Sequence, residues 1–157
     1  MLNDVVGKPL YAWNSRGHRF RTEYDPLRRP VRTFVTGSGS DGSSQEILYE
    51  RTIHGEAQGE GQNHRNRVYQ VYDCAGVVTS EAYDFKGNLL HSSRQLVQDY
   101  KSTPDWAQEP LLEAEVFTSR TVHDALNRPV TLTTPDKSLI QPAYNEANLL
   151  DKLNVNL

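Results

Sequence analysis

A short motif that recurs along the chain is the feature that most restricts its fold. In each copy an aromatic residue or histidine is followed by Asp or Asn, and Gly, Asn or Arg stands four positions after the first residue. The copies begin at positions 13, 24, 72, 83, 123 and 144, so they are 11, 48, 11, 40 and 21 residues apart. Because 11 occurs twice and 21 is nearly its double, the motif indicates a structural repeat. Its residues are Trp13, Asn14, Gly17, Tyr24, Asp25, Arg28, Tyr72, Asp73, Gly76, Tyr83, Asp84, Gly87, His123, Asp124, Asn127, Tyr144, Asn145 and Asn148.

The residue types of the motif are those of a β-turn. Asp or Asn at the first turn position caps backbone N–H groups, and Gly at the fourth position accepts a positive φ. Asn127 and Asn148 tolerate that conformation as well, whereas Arg28 does so less easily and marks a degenerate copy. Between turns, the stretch Val77–Tyr83 is β-branched and aromatic, without a helical period. The sequence therefore predicts an all-β fold, an antiparallel meander of hairpins in which the repeat tyrosines stack as cross-strand neighbours.

The remaining stretches predict how this sheet is interrupted. Glu46–Ile53 is expected to be a strand, although Ser43 and Glu46 also have the spacing of a capping box at the start of a short helix. Thr103–Trp106 predicts one helical turn, with Thr as the cap and Pro at the first helical position. Glu113–His123 is expected to return to strand. We expect one domain over residues 1–157, with loops at about 36–45, 54–66 and 101–111.

Composition excludes several classes of protein. The single cysteine excludes an internal disulfide framework and a zinc-binding C-x-x-C pair. A formal net charge of -3 gives no general reason to bind nucleic acid. No apolar run approaches the roughly 20 residues of a membrane span, and no signal peptide is expected in this chain.

Candidate catalytic residues have simpler explanations. Asp73 and Asp84 each stand in a turn motif, which favours capping over acid–base chemistry. Cys74 has no Lys or Arg beside it and is expected to be an incidental thiol. The histidines, at positions 18, 54, 64, 91 and 123, never have the spacing of metal ligands.

Two short segments also carry weak functional signals. Gly55–Gly61 lacks the Lys-Ser/Thr of a phosphate loop and contains two glutamates, which favours an ordinary loop. His64–Arg67 is basic but is flanked by acidic residues, which favours a solvated strand entry over a nucleic-acid site. The sequence therefore predicts no enzyme, no cofactor and no metal site.

The repeats resemble those of a known family. Val71–Leu90 resembles two consecutive YD repeats of the Rhs family, and Tyr83–Trp106 and His123–Val130 are similar to the repeat region of the B component of insecticidal Tc toxin complexes. The resemblance implies a noncatalytic segment of a large spiral β-shell that encloses a toxic polypeptide. Its implied partners are other shell segments or toxin-complex subunits and the enclosed toxin, and its implied location is secreted or extracellular. Asp25-Pro26 superficially matches the family's self-cleavage motif, but Leu27 and Arg28 follow where that motif has Gly, so we interpret it as a repeat turn.

Two further expectations remain open. The alternative function is a YD-repeat interaction module that binds a glycan or protein at a cell surface through exposed aromatic residues such as Trp13 and Trp106. Both ends of the chain are expected to present unpaired sheet edges, which invite pairing with another chain. On that reading the chain is a fragment that completes itself by association.

Overall fold

The fold is one antiparallel sheet whose strands follow their order in the chain. The computed structural model describes residues 1–37 and 45–156. Each strand pairs with the next in a twelve-stranded sheet, and β1 and β12 lie at its two edges, so the sheet is not closed. The strands are β1 Leu2–Asn3, β2 Pro9–Trp13, β3 Arg19–Tyr24, β4 Pro30–Thr36, β5 Glu46–His54, β6 Val68–Asp73, β7 Gly76–Tyr83, β8 Leu89–Leu96, β9 Phe117–His123, β10 Pro129–Thr133, β11 Leu139–Tyr144 and β12 Leu150–Asn156.

The predicted all-β meander is confirmed. Strands β3 and β4 pair in register from Arg19 opposite Thr36 to Tyr24 opposite Pro30, and β11 and β12 pair along their whole lengths. Glu46–Ile53 is a strand, as expected, because it lies within β5. The strand expected from Glu113 begins only at Phe117. Residues 38–44 of the first expected loop lie outside the described residues.

The predicted helical turn at Thr103–Trp106 is wrong. The described helical structure is a 3-10 helix at Gly55–Gln58, inside the expected loop at 54–66. The Trp106 backbone N–H donates to the Leu48 carbonyl at 2.9 Å, and Asp105 Oδ1 accepts from the Leu48 N–H at 3.1 Å. These bonds tie the segment to β5, and the local backbone bond there, from the Gln108 N–H to the Asp105 carbonyl at 2.9 Å, closes an isolated turn that begins only at Asp105.

The chain is organised as two compact units. The first contains Met1–Ile53, Val71–Val77 and Leu96–Glu113, and the second contains His54–Gln70, Val78–Gln95 and Ala114–Leu157. The buried apolar side chains among the described residues all belong to the first unit: Leu48, Val77, Val97 and Trp106, with Phe34, Tyr72 and Leu112 packed against them.

A long connection supplies the centre of this core. Between β8 and β9, residues Val97–Glu113, here called the Trp106 connector, close on themselves through the bridge of Val97 with Leu112. Trp106 is 4% exposed, its Nε1 donates to the Asp73 carbonyl at 3.2 Å, and its ring meets Tyr72 edge to face at 4.9 Å. The connector thus fills the face of the first unit with a large aromatic side chain.

Candidate functional site: repeated turns and tyrosine clamps

One turn geometry recurs seven times in the described part of the chain. The N–H of its first residue donates to the carbonyl four residues later, and the N–H of its fourth residue donates back to the first carbonyl. All of these distances lie between 2.8 and 3.2 Å. This is a type I turn followed by a left-handed residue, a common connection of antiparallel hairpins. The turns begin at Asp4, Asn14, Asp25, Asp84, Asp124, Thr134 and Asn145.

The fourth residue of every one of these turns has a positive φ. Three of the seven are glycines, at φ 82° to 98°, and the others are Arg28, Asn127, Lys137 and Asn148, at φ 61° to 68°. Arg28 therefore adopts the left-handed conformation although its type disfavours it. Its guanidinium donates to Asp4 Oδ2 at 3.0 Å, which gives the side chain a partner in the neighbouring turn.

The first side chain of the turn caps the backbone. Asp124 Oδ1 accepts from the N–H groups of Leu126 and Arg128, and Asn145 Oδ1 accepts from Ala147 and Leu149. The N–H and the guanidinium of Arg128 lower the pKa of Asp124 because they stabilise its charged form. For Asp84, partial burial acts to raise the pKa, but hydrogen bonds from Asn88 and from backbone N–H groups outweigh it and the pKa is lowered. These carboxylates serve as turn caps.

The Asp73 turn has a different geometry. Strands β6 and β7 are joined by Cys74 and Ala75 alone, and Asp73 Oδ1 accepts from the N–H groups of Ala75 and Gly76. Cys74 is exposed at this tip. Partial burial and the charges of Asp73 and Glu50 raise the pKa of its thiol, which disfavours the reactive thiolate.

Three repeat tyrosines clamp the open ends of hairpins. The hydroxyls of Tyr24, Tyr83 and Tyr144 donate to the carbonyls of Pro9, Val68 and Pro129, at 2.8, 2.7 and 3.0 Å. Each acceptor lies 15 residues before its tyrosine and begins the preceding strand. The residue before each acceptor is basic, and Lys8, Arg67 and Arg128 lie over the three rings at 5.5, 5.4 and 4.6 Å from their centroids. We call this arrangement the tyrosine clamp.

The clamp replaces the stacked ladder that the sequence predicted. Tyr24, Tyr83 and Tyr144 end β3, β7 and β11, and three strands separate each from the next. Tyrosines so placed cannot be cross-strand neighbours, because such neighbours lie about 5 Å apart on adjacent strands. The hydroxyl reaches backward along its own hairpin instead.

The other aromatic positions of the motif have separate environments. Trp13 is 56% exposed and stacks on Tyr11 at 6.3 Å, whereas Tyr72 packs on Trp106. His123 ends β9, and its Nδ1 is buried without a hydrogen-bond partner among residues 1–37 and 45–156. Trp106 was expected to be exposed and to bind a glycan. It is buried, so its ring packs in the core and is not available to a ligand.

His64 is one of three buried polar residues of the second unit among the described residues, together with Ser80 and Ser138. It is 3% exposed, its Nε2 lies 2.8 Å from the Ser80 carbonyl, and Tyr69 and Tyr83 meet its ring edge to face. A Cβ on Gly55 would lie 2.4 Å from the His64 Cβ, so only glycine fits beside it. The basic segment His64–Arg67 is therefore a packed strand entry, with Arg67 on the Tyr83 ring and Arg65 exposed beside Glu60.

Sequence reasoning missed two of the seven turns. Asn3 and Thr133 precede Asp4 and Thr134, so these copies lack the aromatic residue on which the motif was defined. Their signal is spacing: the turns at 4, 14 and 25 and those at 124, 134 and 145 are both separated by 10 and 11 residues. In the Thr134 turn, Asp136 accepts from Thr134 and Ser138, which lower its pKa to about 2.

The described residues contain no group of three or more His, Cys, Asp or Glu side chains able to hold a metal ion. Within the same ranges, no helix has the length and apolar character needed to span a bilayer.

Comparison with known proteins finds a likeness in structure only. No family model and no curated protein sequence matches this chain. A crystal structure of TcdB2-TccC3 matches with a TM-score of 0.85 at 23% identity, and that of TcdB2-TccC3-Cdc42 matches with 0.83 at 22%. The Photorhabdus luminescens Tc holotoxin pore with a mutated TccC3 matches with 0.86 at 22%. Each match covers 99% of this chain and 8% of the solved chain. The twelve-stranded meander is therefore similar in fold to a small part of these Tc toxin chains.

Proposed function

We propose that this chain is a noncatalytic structural segment of an Rhs/YD-repeat shell that encloses a toxin, similar to the B component of Tc toxin complexes. The observation that carries the proposal is the match of 99% of the chain to part of the much longer TcdB2-TccC3 chains. An open sheet built from successive hairpins suits a wall that extends by adding more hairpins, since β1 and β12 leave backbone groups unpaired. Its partners would be neighbouring shell segments, other toxin-complex subunits and the enclosed polypeptide, in a secreted complex.

The turns support a mechanical role because they are bonded to one another within each unit. Asn88 Nδ2 donates to Asn127 Oδ1 at 2.9 Å, and Arg128 donates to Asn148 Oδ1 at 2.7 Å. In the first unit Arg28 bonds Asp4. Side-chain bonds between successive turns hold hairpins side by side at the rim, where backbone pairing has already ended.

A chimera tests the shell role. The 157 residues replace the matching segment of a TcdB2-TccC3 chain, and protease digestion measures whether the TccC3 C-terminal region stays protected. We expect protection close to that of the parent, and none when an unrelated meander of the same length is inserted. A soluble, folded chimera whose C-terminal region is digested at the rate of the free polypeptide would refute the proposal.

The isolated chain gives a second test. Light scattering after size-exclusion chromatography, with far-UV circular dichroism, should show a β-rich chain that associates through its open edges. A compact β-rich monomer at high concentration would favour an independent binding module. Turnover of any substrate that disappears in Asp73→Asn or Asp84→Asn would contradict the noncatalytic role.

The interaction module remains the second candidate because of one observation. Trp13 is more than half exposed and its ring stacks on that of Tyr11, so it presents an aromatic ring to solvent. Binding on a glycan array that Trp13→Ala abolishes would support this function. Trp106→Ala is not a test of it, since that ring is in the core.

A further inference from the structure

The first four and the last four strands repeat one another at a fixed distance along the sequence. The turns that begin at positions 4, 14 and 25 have counterparts at 124, 134 and 145, each 120 residues later. The clamp of Tyr24 on Pro9 has its counterpart in that of Tyr144 on Pro129. Residues that are identical in the two stretches are Asp4 and Asp124, Pro9 and Pro129, Tyr24 and Tyr144, and Val35 and Val155.

The pairing of the strands repeats at the same distance. Arg19 lies opposite Thr36 between β3 and β4, and Leu139 lies opposite Asn156 between β11 and β12. All six residue pairs of β3 with β4 recur in this way, and both hairpins shift register at the clamp tyrosine. The pairs of β1 with β2 recur between β9 and β10. Strand β12 is therefore the counterpart of β4, residue for residue.

The two counterparts differ in what lies on their outer side. Strand β5 covers β4 and places Ile47 opposite Val35, which is half-buried. Strand β12, in contrast, is an edge of the described sheet, and all of its residues are exposed. The exposed fractions of Leu153 and Val155 are 53% and 54%. An edge strand with apolar side chains is a template for a further strand.

We propose that the edge of β12 binds an antiparallel strand in the register that β5 takes on β4. The bound strand places an apolar residue opposite Val155, as β5 places Ile47 opposite Val35. Strand β5 of a second copy is not available for this, because β4 and β6 already flank it. In a shell the bound strand belongs to the next hairpin of the wall, and for this identity of the partner the inference rests on the proposed function.

The residue of the bound strand that faces Lys152 is acidic. On β4, the counterpart Arg32 donates to Glu23 of β3 at 3.3 Å, which offsets its charge beside Arg51 of β5. Lys152 lies opposite Ala143 instead, so β11 places no carboxylate at this position. Opposite charges that face each other across strands are stabilising and like charges are destabilising. The partner is therefore similar to β5 at its apolar position but acidic where β5 has Arg51.

Disulfide capture of a β5 peptide by the whole chain tests the register. The peptide contains residues 46–54 with Ile47→Cys, and the chain carries Val155→Cys and Cys74→Ser in a glutathione redox buffer. We expect capture at least about tenfold faster than in two controls, because only directly opposite residues bring their Cβ atoms within disulfide distance. Leu153→Cys lies two residues away on the same edge. Val35→Cys lies at the equivalent position of β4, where β5 already occupies the edge.

The charge of the peptide tests the chemistry of the partner. Replacing Arg51 of the peptide by Glu should raise the equilibrium constant for capture by the Val155→Cys chain roughly fivefold, since a repulsive pair with Lys152 becomes an attractive one. Adding Lys152→Glu to the chain should reverse this preference. The reversal separates a pair of facing charges from a general effect of peptide charge.

The assignment would be overturned by no capture, by capture at equal rates in Val155→Cys and either control, or by an unchanged preference in the Lys152→Glu chain. The TcdB2-TccC3 chimera separates this inference from the proposed function. A chimera that protects its C-terminal region, together with capture out of register, overturns the edge assignment alone. Capture in register by the chain, together with an unprotected chimera, supports the edge assignment and refutes the shell.

Discussion

The Trp106 connector and the hairpins of β9–β12 are held in place by different interactions. The connector buries one large ring among Leu48, Val77 and Val97, and its backbone bonds reach residues far away in the sequence. From Phe117 to Asn156, by contrast, no apolar side chain is buried, and every residue of β12 is exposed. These hairpins rely on backbone pairing, capped turns and the clamp at Tyr144.

This contrast teaches how stability is distributed in a repetitive sheet. Many weak local interactions stabilise the repeated hairpins, so no single residue there contributes a large part of the stability. The Trp106 connector supplies the centre of the core in the first unit, so substitution of a single residue can remove much of that core. The local turn interactions recur wherever the motif recurs, whereas the packing of the first unit depends on the Trp106 connector alone.

Truncation of the Trp106 side chain should cause the largest loss of stability. Trp106→Ala is expected to lower the free energy of unfolding by about 3–5 kcal/mol, because it leaves a cavity among buried apolar side chains. Urea denaturation followed by circular dichroism measures the loss. Trp13→Ala, which removes an exposed ring, should cost well under half as much. Equal losses in the two variants would mean that the connector is not the centre of the core.

Filling the space beside His64 should be the next most damaging change. Gly55→Ala places a methyl group 2.4 Å from the His64 Cβ and 2.6 Å from its carbonyl oxygen. The backbone must shift, at a cost of about 1–3 kcal/mol in unfolding free energy. Gly61→Ala is the matched control, since an added Cβ there meets nothing within 4 Å. A Gly55→Ala protein with the same melting temperature as Gly61→Ala would contradict this packing.

Blocking a positive φ tests the turns of the repeated hairpins. Gly87 has φ 98°, so Gly87→Val should cost at least about 1 kcal/mol in unfolding free energy. Gly87→Asn should cost less, because Asn127 and Asn148 occupy the same turn position with φ of 63° and 62°. Thermal melts of the two variants give the comparison. An unchanged melting temperature in Gly87→Val would count against the turn geometry.

Removing the hydroxyl of one clamp tyrosine should lower the free energy of unfolding by about 1 kcal/mol. Tyr144→Phe deletes the donor to the Pro129 carbonyl and keeps the ring that lies under Arg128. Tyr24→Phe and Tyr83→Phe should lose similar amounts, because the three clamps share one geometry. Tyr100→Phe is the control, since Tyr100 is 84% exposed. Losses in the clamp variants that match the control would show that the hydroxyls do not stabilise the hairpins.

Acid should weaken the repeated hairpins gradually. Turn hydrogen bonds lower the pKa of Asp124, and that of Asp136 to about 2. A lowered folded-state pKa means that this stability is present above the unfolded value of roughly 4 and is lost as the pH falls towards about 2. Asp124→Asn keeps a capping oxygen but cannot titrate, so its melting temperature should depend less steeply on pH in that window. Identical pH profiles for the variant and the wild type would refute the linkage.

Much of the architecture could be predicted because its signals are local. The Asp and Gly positions of the motif specify turns through side-chain capping and permitted φ, and the residues between them favour strands. The copies at Asp4 and Thr134 escaped notice because the residues before them are not aromatic. The helical turn assigned to Thr103–Trp106 failed because its cap and proline are local signals, whereas Asp105 and Trp106 bond to β5, more than fifty residues earlier.

By itself, the sequence determined the fold class and five of the seven repeated turns, since turn chemistry acts within five residues. Only the tertiary structure decided where Trp106 goes and which carbonyl each clamp tyrosine reaches. Those outcomes depend on groups that come together only after the strands have paired.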